Sequence, residues 1–112
     1  MTRRQAIEKC RDMWDILAEN GGGDGFDKRE AYMAVGGRLS SPTACFFCDY
    51  NHTHKRHYCD ITCIGADIWG GHNCTISNSL FDKWVYAKTP RTRQKYAKQI
   101  ADGCRKLLEK MG

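Results

Sequence analysis

The chain has 112 residues, of which 41% are hydrophobic and 11% aromatic. That composition suits one small domain with a modest core and excludes a wholly disordered chain. No apolar run approaches the ~18 residues needed to cross a bilayer, so neither a membrane span nor a membrane partner is expected.

The formal charge of +5 is unevenly placed. Residues 79–112 hold nine Lys or Arg against three Asp or Glu, whereas residues 1–78 hold nine basic and ten acidic residues. The positive excess therefore belongs to the last third of the chain and points to a basic surface on one element. The first residues lack the apolar stretch of a secretory signal, so a cytoplasmic location is expected.

The first predicted element is a helix over about residues 3 to 19. Thr2 and Gln5 stand at capping-box spacing, where each side chain can satisfy an orphan backbone N–H. Ala6, Ile7, Cys10, Met13, Trp14, Leu17 and Ala18 recur at steps of three and four and make one apolar stripe. Arg4–Glu8 and Arg11–Asp15 are candidate i,i+4 ion pairs on the wet side. The run Asn20-Gly-Gly-Gly-Asp-Gly25 ends the helix and matches neither the phosphate-binding nor the dinucleotide glycine pattern. Asp27 and Glu30 cap a short helix of roughly 28 to 35, with Ala31, Tyr32 and Val35 inward and Gly36-Gly37 closing it.

From Ser40 to Asn78 helical periodicity is lost. Short strands or knuckle turns are expected there. Ser79 caps a helix of about 80 to 88 whose apolar face is Leu80, Phe81, Trp84 and Val85. Thr89-Pro90 starts the last helix, over about 90 to 110, with Pro suited to its first position. Tyr96, Ala97, Ile100, Ala101, Cys104, Leu107, Leu108 and Met111 form its stripe, and Gly103 either weakens the helix slightly or allows a close packing contact. The expected architecture is a mainly α, small helical domain with a central irregular zinc-knuckle segment and room for a short β-hairpin. Residues 1–112 form a single domain in three parts: N-terminal helices in 1–39, a zinc-binding segment in 40–78 and C-terminal helices in 79–112.

Seven cysteines in 112 residues is a high and odd count. Five of them, Cys45, Cys48, Cys59, Cys63 and Cys74, fall in the central segment with all four histidines, His52, His54, His57 and His72. Cys45-Phe-Phe-Cys48 followed by Cys59-Asp-Ile-Thr-Cys63 is spacing that structural zinc uses. A tight turn lets two thiolates converge on half a tetrahedron, and a second turn supplies the other half. In a reducing compartment this reading outweighs both a disulfide framework and catalytic thiols. Zn2+ held by Cys45, Cys48, Cys59 and Cys63 is therefore the expected cofactor site, with Cys74 or a histidine able to replace one ligand. Lys55 and Arg56 in the intervening loop would temper the charge of four thiolates. Cys10 and Cys104 lie on helix stripes and read as buried core thiols.

No enzyme is expected. A zinc deaminase needs H-x-E ahead of P-C-x-x-C; no histidine precedes Cys45, and Pro42 stands three residues ahead of it. The metalloprotease pattern HExxH is absent. His72-Asn73 matches only part of a His-Asn-His nuclease core. A closed tetrathiolate site has no open position for water.

The N-terminal helix around Met13-Trp14, the Cys45-x-x-Cys48 and Cys59-x-x-x-Cys63 pairs, the Ser79 to Trp84 helix and the closing Tyr96-Ala-Lys-Gln-Ile100 helix carry a resemblance over the whole chain. It resembles small cysteine-rich proteins of phages and prophages of Gram-positive bacteria, and among them a zinc-containing type II-A anti-CRISPR inhibitor. The resemblance implies a protein that works in the cytoplasm of the bacterial host. There it would bind the type II RNA-guided DNA nuclease directly and keep target DNA out. The basic charge disfavours simple mimicry of DNA. Docking on an acidic or mixed surface through the C-terminal helix is expected instead, with Lys95, Lys98, Arg105 and Lys106 as candidate contacts. A solvated face is the plainer account of the same residues. The alternative function is a zinc-dependent nucleic-acid-binding phage regulator. Against it, the spacing is not that of a C₂H₂ finger and the basic helix also carries a full core stripe.

Overall fold

The computed structural model describes residues 1–20, 28–38, 44–53, 68 and 79–111. All regular structure among them is α-helical: α1 Arg3–Asn20, α2 Lys28–Ala34, α3 Phe46–Thr53, α4 Leu80–Val85 and α5 Pro90–Lys110. The mainly α architecture expected from the periodicity is the one observed. The glycine run, the Asp27 cap, most of the central segment with Cys59, Cys63, Cys74, His54, His57 and His72, and the β-hairpin reading lie outside the described residues.

The helix starts follow from local hydrogen bonding. Thr2 N–H donates to Gln5 Oε1 at 2.8 Å and Gln5 N–H donates to Thr2 Oγ1 at 3.1 Å, the reciprocal capping box at the head of α1. Asp82 N–H donates to Ser79 Oγ at 3.1 Å and Thr92 N–H to Thr89 Oγ1 at 3.2 Å, so α4 and α5 carry the caps their sequences specify. Pro90 occupies the first turn of α5. At the end of α2, Gly37 N–H donates to Tyr32 O at 2.9 Å and Gly36 N–H to Met33 O at 3.0 Å. With Gly36 at φ +94°, this is a Schellman stop.

The core forms where the stripes meet. The largest helix–helix interface joins α1 to α5; α4 packs on α5, and α2 and α3 pack on α1. Ala6, Ile7, Cys10, Met13, Trp14 and Leu17 of α1 and Ala97, Ile100, Ala101, Cys104 and Leu107 of α5 are all buried. Trp14 meets the α4 aromatics edge-on, with ring centroids 5.0 Å from Trp84 and 6.2 Å from Phe81. Gly103 lies under the central segment: a Cβ built there would stand 3.0 Å from Ile68 Cγ1, so the glycine admits that close approach.

Four local expectations need correction. Helix α4 stops at Val85, three residues early, and Val85 is exposed, because Tyr86 closes the helix through bonds to Asp82 O and Trp84 O. Met111 is exposed just past the end of α5. Arg4 and Glu8 do not pair. Arg11 pairs with its neighbour Asp12 at 2.9 Å, because Asp15 is engaged by Arg105 across the α1–α5 interface.

Candidate functional site

The Cys45-Phe-Phe-Cys48 motif opens a helix rather than a free knuckle. Ala44 adopts φ +50°, the only positive φ outside glycine among the described residues. That turn delivers Cys45 to the head of α3, where its carbonyl accepts the Asp49 N–H at 3.0 Å. The Cys48 N–H donates to the Cys45 sulfur, as it would to any N-cap acceptor. Phe46 and Phe47 between the cysteines are buried; α3 packs on α1, and the Phe46 ring lies 4.6 Å from that of Tyr32 on α2. The helix escaped sequence reading because it is short and its aromatic pair carries strand propensity as much as a 3.6-residue period.

Among the described residues four thiols are buried, Cys10, Cys45, Cys48 and Cys104, and none of these is in a disulfide. Cys10 of α1 shares a side-chain hydrogen bond with Cys104 of α5, and Cys45 shares one with Cys48. Cys45 also lies within electrostatic reach of Cys10. Burial, followed by the Cys104 contact, pushes the Cys10 thiol well above its ordinary pKa. The Cys48 contact, followed by burial, does the same for Cys45. The Lys28 ammonium works against both shifts. As they stand, the described residues contain no group of three or more His, Cys, Asp or Glu side chains that could hold a metal. Of the sequence-predicted ligands, Cys45 and Cys48 are brought together, while Cys59 and Cys63 lie outside the described residues.

The protein-family models, the curated proteins and the solved structures contain no match to this chain.

On α5, Lys95, Lys98, Arg105 and Lys106 are all exposed on the side away from the core. Arg105 differs from the other three. It bridges to Asp15 of α1 and to Asp102 at 3.0 Å. The Asp15 contact first, and Asp102 after it, raise its guanidinium above the ordinary arginine pKa. Arg105 therefore clasps the two longest helices, while the lysines project from α5.

A second polar cluster was not legible in the sequence. Tyr32, fully buried on α2, donates its hydroxyl to Asp49 Oδ2 of α3. Arg38 reaches the other carboxylate oxygen at 3.5 Å. Asp49 in turn raises the Arg38 pKa above its ordinary value. These groups, with Lys9, Gly37 and Phe46, line a cleft of about 210 Å³. Its plain role is to fasten α2 to α3. A Cβ at Gly37 would overlap the Tyr32 ring, and that ring is held by its hydrogen bond. Gly37→Ala is therefore expected to destabilise the fold by about 1–3 kcal/mol. Urea unfolding would show a lower midpoint with an unchanged slope.

Proposed function

We propose that the chain is a zinc-stabilised inhibitor that binds a type II RNA-guided DNA nuclease and blocks loading of its target DNA. Cys45 and Cys48 supply half of a thiolate site, and Cys59 and Cys63 are the second pair on spacing. The metal is structural: bound zinc would tie the CxxC turn to the second cysteine pair. Catalysis is not part of the proposal: a closed tetrathiolate site has no open position for water.

The observation that carries the binding role is the division of α5. One face is packed into the core, and the other carries Lys95, Lys98 and Lys106, which make no bridge to an acidic residue among the described residues. That leaves three positive charges for an acidic or mixed surface on a partner. No helix among the described residues is long and apolar enough to cross a membrane.

Gel filtration of the chain with and without the nuclease tests this reading. Co-migration is expected, and it should weaken as salt rises. Reversing Lys95, Lys98 and Lys106 to Glu should weaken the complex about tenfold or more, at roughly 0.5–1 kcal/mol per exposed charge. Arg105 is left in place, because a glutamate there would stand against Asp15 and Asp102. Absence of a complex, with salt-sensitive binding to DNA instead, would replace the proposal with the regulator reading.

A further inference from the structure

The cleft at the end of α2 holds more positive charge than its own structure uses. Its charged side chains are Lys9 of α1, Arg38 just past α2 and Asp49 of α3. Asp49 is 8% exposed and both its oxygens are engaged, Oδ2 by the Tyr32 hydroxyl and Oδ1 by Arg38 Nη2. The carboxylate therefore does not call on Lys9, which bridges to no acidic residue among the described residues. The Lys9 ammonium stands instead 5.8 Å from the centroid of the Phe46 ring, at the wall of the cleft. Arg38 is held by a long contact of 3.5 Å and its side chain is 59% exposed, so part of its donor fork stays open to solvent.

We infer that this cleft binds the carboxylate of a small monoanionic organic acid between Lys9 and Arg38. Two cationic side chains against one satisfied carboxylate leave a net positive charge in a recess, where the protein walls focus its field. A single negative charge matches it, whereas a phosphate dianion would bring a second one against Asp49. The planar fork of Arg38 suits the two oxygens of a carboxylate, and Lys9 adds a point charge from the neighbouring helix. The volume of about 210 Å³ lies below the ~300–1,000 Å³ of sites for drug-sized ligands, so the acid has only a few carbons. Bound there, it ties α1 to the α2–α3 pair that Tyr32 and Asp49 already fasten. The site needs neither zinc nor the nuclease.

Titration of the full-length wild-type chain with sodium propionate, followed by proton–nitrogen correlation NMR at constant ionic strength, tests the site. Saturable shifts centred on the amides of Gly36, Gly37 and Arg38 are expected, and propionamide, the neutral analogue of the same shape, should produce none. That comparison needs no substitution, so it decides the matter even where a variant fails to fold. Lys9→Met keeps the length of the side chain, removes its charge and breaks no ion pair among the described residues. It should raise the dissociation constant for propionate about fivefold, the loss expected for one part-exposed charge. Adding Arg38→Gln should abolish saturation. Shifts that do not saturate, or equal shifts from propionamide, would overturn the inference. So would a Lys9→Met chain that binds propionate as tightly as the wild type, or tighter binding of inorganic phosphate than of propionate.

Discussion

On the proposed zinc site, Cys48→Ser should abolish zinc binding and leave the chain largely unfolded or insoluble. Cys48 is 6% exposed and lies in the CxxC pair on which the proposed zinc site depends. Structural zinc contributes an apparent ~10–16 kcal/mol to folding in small domains, which exceeds or equals the whole stability of most of them. One thiolate fewer would forfeit much of that, and the buried serine hydroxyl adds a desolvation cost. Zinc content and the circular dichroism melt of the purified variant are the measurements. A variant with a full equivalent of metal and a wild-type melt would remove Cys48 from the ligand set.

Trp14→Ala should be the most damaging substitution at an apolar position. Trp14 is 2% exposed and meets Phe81 and Trp84 edge-on, so it joins α1 to α4 as well as to the rest of the core. Truncating a buried Trp costs about 3–5 kcal/mol, with the loss of aromatic pairing included. For a domain of this size that lowers the melting temperature on the order of 10–30 °C. Trp14→Phe keeps much of the volume and should cost much less. Equal melts for the two variants would show that the contact with α4 carries no stability.

The parts of the fold that rest on local chemistry were legible in the sequence. Thr2 with Gln5, Ser79 and Thr89-Pro90 are caps whose mechanism acts over three residues, and each is formed as read. The inward stripes of α1 and α5 follow from period alone. What was not legible depends on distant segments meeting. Cys10 and Cys104 were correctly placed on buried stripes, but a stripe says nothing of which residue faces it from another helix. Arg105 was read as part of a docking face, and its bond to Asp15 appears only when α1 and α5 are packed. Asp49 gave no signal of its link to Tyr32, since a carboxylate after a CxxC reads equally well as solvent-exposed. Helix α3 was missed for the opposite reason. It is only eight residues long, and its local pattern is ambiguous between helix and strand.

The Arg105 clasp changes how the basic helix should be probed. A reversal that includes it mixes loss of a partner contact with loss of an internal ion pair. Exposed pairs of this kind are worth at most about 1 kcal/mol, but two aspartates beside a new glutamate add repulsion. The lysines alone separate binding from stability.

The zinc content of the full chain, purified without added metal, is decisive when read with its zinc-edge X-ray absorption. One equivalent of zinc per chain with a shell of sulfur at about 2.3 Å is predicted. A folded chain that carries no zinc, or zinc in a shell of nitrogen and oxygen only, would contradict the proposed thiolate-held ion.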